Sequence, residues 1–387
     1  MKNARNGRRS TNPALYIHLP FCLQKCNYCD FVSYPGQTAT AMRAYCRAVS
    51  REIELLAATY RPGAAATIFL GGGTPSLLPG GELAALLEQA ATVFGLLSGA
   101  EISLEANPGT VDAAKYRLLL AAGVNRLSLG VQSFDDDLLQ AMGRAYRRQE
   151  VYRAYRLARQ AGFANINIDL IFGLPGQTMA AWQATLTETI ALEPEHVAAY
   201  SLQLEPGTPW GDLAADGALP LPDEELVLAM YQEAREQLGG AGYDHYEISN
   251  FARPGYQCRH NLSYWHNLPY FGVGAAAASY WQDCRWQNHS SLEQYSAALA
   301  AGELPVAERE TLSLRLQMAE TMFMGLRLLA GINLATFLER FGTDARVIYA
   351  AELEWLFSQG LVEIKGGHLK LTERGLPLAN EVFRQFV

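Results

Sequence analysis

The sequence predicts an α/β fold: six βα repeats, as a partial (β/α)6 barrel or an open doubly wound sheet, followed by a mostly helical, winged-helix-like C-terminal domain. Three observations predict it. Between residue 14 and about residue 203, six short β-rich runs alternate with longer Ala-, Leu- and Arg-rich stretches. Residues 206–222 are rich in Pro and Gly and read as a linker. Beyond residue 303, helical patterns lead into a hairpin signature.

The six runs are LYIHLP, TIFLGG, ISLEANP, RLSLGVQS, NINIDLIFG and HVAAYSLQ. The stretches between them, 39–60, 81–98, 111–122, 137–161 and 178–192, read as helices. Parallel strands need crossovers of about this length. The apolar runs suit a sheet covered on its outer face. An open doubly wound sheet fits the same alternation, and in either fold ligands bind at the C-terminal strand ends. A helix over about 223–239 follows, then an aromatic-rich connecting segment, 241–302. Helices are expected near 311–329, 334–341 and 344–359, then LVEIKGGHLKLTERG as a hairpin with a Gly-Gly turn, then a last helix. The organisation is thus a basic N-terminal tail (1–13), a barrel (14–240), a connecting segment (241–302) and a C-terminal domain (303–387).

Composition narrows the function. At roughly 150 residues per domain, 387 residues make two or three domains. With 49% hydrophobic and 18% charged residues, the chain can bury a large core and is not disordered. A net charge of −8 argues against nucleic acid as a partner. In the C-terminal domain, AELEWL would put carboxylates on a recognition helix. No apolar h-region follows MKNARNGRRS, and LAALLEQAATVFGLLSGA is interrupted by Glu88, so a cytoplasmic protein is expected. Thiols stay reduced there, and clustered cysteines then favour metal over disulfides.

Three of the six cysteines, Cys22, Cys26 and Cys29, fall within FCLQKCNYCDF. Their spacing lets one short loop aim three thiolates at a common centre. Cysteine thiolates hold iron–sulfur clusters, and three of them on a four-iron cubane leave one iron open. A Cys3His zinc site with His18 is the alternative. CLQKCNYC resembles the CxxxCxxC signature of the radical S-adenosylmethionine (SAM) superfamily, with Tyr28 as the aromatic residue before the last cysteine. The resemblance implies a radical SAM barrel and a [4Fe–4S] cluster whose open iron binds SAM.

Further motifs extend the resemblance. GGGTPSLL follows a strand, lacks the Gly-Lys-Ser/Thr of a Walker loop, and matches the family's GGxxP stretch. The family then implies that Gly72, Gly73 and Thr74 contact SAM. Glu105, Gln132, Arg144 and Asp169 lie at or just beyond strand ends, as do Asn107 and Ser133. The first four, with Tyr16, match SAM-binding positions among relatives of oxygen-independent coproporphyrinogen III oxidase. YIHLPFC, LSLGVQSF, NIDLIFGLPGQT, YSLQLEPGTP, HYEISNFARPG and CRHNLSYW resemble the same group, so the likeness covers nearly the whole chain. One departure is Tyr146, in MGRAYRR, where the family usually has a His.

Two functions share this scaffold: the oxidase, and HemW-type heme chaperones. Three features resemble the chaperone branch. Phe31 stands where the oxidase signature has a further cysteine. Only 21 residues precede Cys22. HNLSYW matches the HNxxYW motif associated with heme binding, which singles out His260, Asn261, Tyr264 and Trp265. His260 is a candidate axial ligand, with His245, His266 and Cys258 as alternatives and Arg253 or Arg259 as propionate partners. Cys46 and Cys284 read as core. The resemblance implies heme bound near 258–266, apart from the cluster, and passed to acceptor hemoproteins. It also implies a homodimer, peripheral membrane contact through the acceptors, and no coproporphyrinogen oxidase activity. The oxidase, or a related radical SAM enzyme, is the alternative function.

Overall fold

The structure is a computed structural model and describes residues 12–387. Most of the basic tail (1–13) lies outside the described residues. Six parallel strands run across the middle of one sheet. They are β1 (Ala14–Leu19), β2 (Ala65–Gly72), β3 (Leu96–Ala106), β4 (Arg126–Gln132), β5 (Ile166–Phe172) and β6 (His196–Ser201). They lie side by side in chain order. A doubly wound sheet reverses its order at a switch point. Unbroken order instead makes the wall of a partial barrel.

Helices α1 (Ala39–Tyr60), α2 (Gly80–Phe94), α3 (Ala113–Ala121), α4 (Asp136–Ala141), α5 (Arg148–Ala161) and α6 (Met179–Ala191) form the crossovers. Strand period two sorts the side chains. Leu127 and Leu129 belong to the apolar core, with Val49, Ile53, Leu83 and Leu86 from the helices. Arg126 and Ser128, at the alternate positions, line the barrel interior.

Several boundaries differ from expectation. The 81–98 helix stops at Phe94, because Gly95 turns the chain at φ +71° and β3 begins at Leu96. The 137–161 helix is broken into α4 and α5, with Gly143 at φ +76° between them. That break creates the loop carrying Arg144. The expected linker contains α7 (Pro209–Ala215), whose N-terminus is capped by the Thr208 side chain, with Pro209 in its first turn.

Beyond α8 (Glu224–Gly240), the expected connecting segment 241–302 builds both margins of the same sheet. β7 (Asp244–Glu247) and β8 (Asn250–Ala252) extend it beside β6. After α9 (Arg259–Trp265), β9 (Tyr270–Val273) pairs parallel with β1. Antiparallel β10 (Ala278–Trp281), β11 (Cys284–Asn288) and β12 (Val306–Thr311) complete twelve strands. The segment satisfies backbone groups that the outer barrel strands would otherwise expose.

The C-terminal domain therefore begins after Thr311, later than the expected residue 303. It comprises α11 (Leu314–Gly325), after α10 (Leu292–Ala300), then α12 (Leu334–Phe341), α13 (Ala345–Ile348), α14 (Ala350–Ser358) and α15 (Ala379–Phe383). Strands β13 (Val362–Lys365) and β14 (His368–Leu371) form the expected hairpin, with Gly366 and Gly367 both at positive φ. Its separate core includes Met322, Phe337, Leu353 and Leu356. A two-fingered Arg285–Glu320 pair, at 2.7 and 2.8 Å, ties it to β11. Among the described residues no helix is long and apolar enough to cross a membrane.

One buried carboxylate fixes the end of β1. Glu52 accepts from Gly274 N at 2.7 Å, Asn288 Nδ2 at 2.6 Å and the Tyr295 hydroxyl at 2.5 Å. Tyr45 donates to His18 O and accepts from Ala275 N, so this network holds the strand that enters the cysteine loop. Burial pushes Glu52 up from 4.5 to about 7. Its raised folded-state pKa adds stability below pH 4.5 and loses it as pH rises through about 7. We predict that Glu52→Gln lowers the urea midpoint at pH 5. It should also remove about 3 kcal/mol of the stability decline between pH 4.5 and 7, read as a flatter pH profile of the unfolding free energy.

Candidate cofactor site

The cysteine loop leaves the C-terminal end of β1. Cys22, Cys26 and Cys29 are free and half-buried. The loop is anchored by backbone bonds: Cys29 N to Cys26 O, Asn27 N to Met142 O, and Trp210 N to Asn27 O. Asn27 Nδ2 also donates to Ala141 O at 2.8 Å. Burial pushes the Cys22 and Cys29 thiols up. Among the described residues no group of three or more His, Cys, Asp or Glu side chains is arranged to hold a metal ion. The three thiols share a loop and are not a preset cage.

His18 is spent elsewhere. Its Nε2 lies 3.1 Å from Val32 O and its Nδ1 2.9 Å from the Tyr16 hydroxyl. With Nε2–H donating to Val32, Nδ1 accepts from Tyr16. No lone pair remains for zinc, which weighs against a Cys3His site.

The GGGTP turn is spliced onto the cysteine loop. Gly73 N donates to Leu19 O at 3.0 Å and Thr74 N to Phe21 O at 2.7 Å. A Cβ on Gly73 would lie 2.7 Å from Phe21 O and 2.9 Å from Cys22 Sγ. A Cβ on Gly72, at φ +115°, would lie 2.7 Å from the His18 ring. Thr74 donates to Cys22 Sγ at 3.9 Å and accepts from Asn107 Nδ2 at 2.9 Å.

The next strand ends bring polar groups beside this splice. Glu105 accepts from Gly72 N at 3.1 Å. Burial, then the neighbouring Asp169, pushes Glu105 up to about 8. Asp169 is itself pushed up by burial, against donation from Asn167 at 2.7 Å and Ser128 at 3.0 Å. Gln132 sits at φ +67° at the irregularity where β4 pairs with β5. Non-glycine residues adopt that backbone uncommonly. Arg144 donates to the Tyr28 hydroxyl, with its guanidinium carbon 5.7 Å from that ring and 5.8 Å from the Tyr146 ring. Tyr146 donates to Gly130 O, so the residue replacing the usual His is built into the wall.

Inside the barrel, a cavity of about 240 Å³ joins the two motif sets. Tyr16, Glu105 and Asp169 line it, and so do His260, Asn261 and Tyr264. The heme motif was expected to stand apart, but α9 packs against the barrel wall and turns these residues inward. His260 is buried, with Nδ1 2.8 Å from Thr67 Oγ1 and Nε2 2.9 Å from the Tyr264 hydroxyl. Burial holds it down at about 3. Trp265 does not line the cavity; the Arg327 guanidinium carbon lies 4.3 Å from its ring. Cys258 is buried, His245 stacks on Phe251 at 4.3 Å, and His266 is exposed. Arg259 donates to Gly99 O, Arg253 covers Tyr243, and neither lines the cavity.

Comparison with known proteins follows this geometry. The radical SAM superfamily model matches residues 16–188, and the HemN C-terminal domain model matches 312–378. Heme chaperone HemW of Bacillus subtilis (strain 168) is 38% identical over 374 residues, covering 96% of this chain and 98% of its own. The chain belongs to the HemW family of the radical SAM superfamily.

Heme chaperone HemW of Escherichia coli (strain K12) is 40% identical over 68% of this chain and 69% of its own. The structure of coproporphyrinogen III oxidase (HemN) from Escherichia coli, a radical SAM enzyme, superposes with a TM-score of 0.85 at 25% identity. The match covers 98% of this chain and 91% of that one. In this HemW-family chain, Phe31 is 63% exposed at the rim of the cysteine loop.

The sequence reading missed Arg126, Asn167 and Glu101. Arg126 and Asn167 line the cavity, and Glu101 accepts from the Arg259 and His260 N–H groups, both at 3.0 Å. A signal was present: polar residues recur at every second position in EISLE, RLS and NID.

The splice is testable through Gly73→Ala. The added methyl must push Phe21 or Cys22 away. After anaerobic reconstitution, iron and acid-labile sulfide per chain should fall by more than half, while circular dichroism stays that of a folded chain.

Proposed function

We propose that this protein is a heme chaperone that binds heme and a SAM-ligated [4Fe–4S] cluster and delivers heme to acceptor hemoproteins. The observation that carries this reading is the meeting of two motif sets at one barrel cavity. The names of its near-full-length relatives support it. In this reading Cys22, Cys26 and Cys29 hold the cluster. Gly72, Gly73, Thr74, Glu105, Gln132, Arg144, Asp169 and Tyr16 bind SAM. When bound, cluster and SAM together supply reductive cleavage to a 5′-deoxyadenosyl radical. The three thiol donors fit iron, and the close approach of Gly73 to Phe21 and Cys22 fits a turn that holds the cysteine loop in place.

The chain's own contribution is placement. The carboxylates of Glu105 and Asp169 suit hydroxyl and ammonium groups. Arg144, held between two tyrosines, suits a carboxylate. Heme binds at the 258–266 segment, with His260 as its ligand and Tyr264 beside it. Nε2 of His260, which lies 2.9 Å from the Tyr264 hydroxyl, would be the donor to the iron. The protein works in the cytoplasm as a homodimer, with peripheral membrane contact through its acceptors. The fold shared with HemN favours the oxidase as a second reading, and net conversion of coproporphyrinogen III to protoporphyrinogen by the purified protein would establish it.

Two measurements test the first reading. Cys22→Ser should abolish bound iron and sulfide, and unchanged content would refute the cluster assignment. In an anaerobic heme titration, His260→Ala should alter the visible spectrum and weaken binding about tenfold or more, with His266→Ala as the unaffected control. Tyr264→Phe frees Nε2 and should tighten binding. Because His260 titrates at about 3, binding should not change between pH 5 and 8 through protonation of the ligand.

A further inference from the structure

Arg126 is a buried cation with no carboxylate in direct contact. Its side chain lines the barrel cavity, and the residue is 2% exposed. Its Nε has no acceptor, and among the described residues no carboxylate lies within 4.0 Å of the guanidinium. The nearby acids are already engaged. Glu101 caps the N-terminus of α9 and accepts from the Cys258 thiol. Asp169 accepts from Ser128 and Asn167. Glu105 is bonded to Gly72 N. Glu101 and Asp169 compensate the charge from a distance against the cost of burial, but no group in the fold takes the guanidinium fork.

We propose that the cavity is a carboxylate-binding site, with Arg126 as the residue that pairs with the incoming anion. The guanidinium fork matches a planar carboxylate. Asn261, also in the lining, offers amide N–H groups. A phosphate dianion fits less well, because one guanidinium does not neutralise a second charge. At about 240 Å³ the cavity is smaller than the usual pocket for a drug-sized ligand. It therefore takes a carboxylate arm or a small acid, and no macrocycle. The arm would be a propionate of heme, which rests on the chaperone reading; a small free carboxylic acid does not.

The test uses the full chain with its cluster reconstituted. Sodium propionate is titrated by calorimetry and by thermal unfolding, with sodium chloride at equal ionic strength as control. Saturable propionate binding to the wild type, weakened about tenfold or more in Arg126→Gln, supports the site. Should Arg126→Gln fail to fold, Arg126→Lys keeps the charge without the fork and should bind propionate more weakly than the wild type. Heme is then compared with its dimethyl ester. A wild-type preference for free heme that Arg126→Gln erases identifies a heme propionate as the occupant. Arg126-dependent propionate binding without that preference identifies a free acid. Absence of heme binding altogether sinks the chaperone reading and leaves propionate to decide this one. Propionate affinity and heme-to-ester preference both unchanged in the variants would overturn the proposal.

Discussion

The splice between the end of β1 and the turn after β2 is the constraint on which the site depends. Two backbone bonds, from Gly73 N to Leu19 O and from Thr74 N to Phe21 O, lock the cysteine loop to the GGGTP turn. There is no room between them for a side chain at residue 73. Every later element is referred to this joint. Thr74 reaches Cys22 on one side and Asn107, from the end of β3, on the other. Gly72 reaches Glu105. The Glu52–Tyr45 network braces the same strand end from behind, through His18 O.

The interior of the barrel is polar because its strands alternate, and that polarity is organised. Asn167 donates to Asp169 and lies 2.6 Å from His196 Nδ1. His196 Nε2 meets the Tyr246 hydroxyl, which accepts from Cys258 N. One chain of hydrogen bonds thus runs from a carboxylate at the cofactor end to the start of α9. Burial holds His196 well below its ordinary value, so its imidazole stays neutral at ordinary pH. In a low-dielectric interior such satisfied networks hold one geometry, and an unsatisfied group stands out against them. Arg126, whose Nε has no acceptor, is one such group.

The barrel and its strand ends were legible in the sequence because they rest on local signals. LYIHLP, TIFLGG and NINIDLIFG carry apolar runs closed by Gly or Pro. The Gly-Gly hairpin likewise carries its own turn chemistry. What escaped was non-local or brief. β9, YFGV, pairs with a strand some 250 residues earlier, and four residues carry too little pattern to declare it. Gly95 and Gly143 each reset the chain within long helical patterns, and only their positive φ shows it. Thr208-Pro209 is a cap signature that compositional reading hid inside a Pro- and Gly-rich stretch. At the site, strand-end residues were visible from motif positions. Arg126 and Asn167 lie deeper in their strands, where period-two polarity was the only trace.

The shared cavity changes how the two motif sets relate. Tyr16 belongs to the first set by position. Its ring centroid lies 6.4 Å from His260, and its hydroxyl bonds His18, which packs on Gly72. Phe69 fills the angle between them, 6.3 Å from Tyr16 and 5.1 Å from His260. These rings form one packed wall from α9 to the turn after β2. Interiors at this density do not let one ring leave while its neighbours stay put. If His260 turns outward to meet iron, Tyr16 and Phe69 lose a packing partner, and His18 loses part of its support. In the proposed reading, heme capture by His260 would then disturb the turn after β2 through packing alone, which gives a physical reason for the two motif sets to share one barrel.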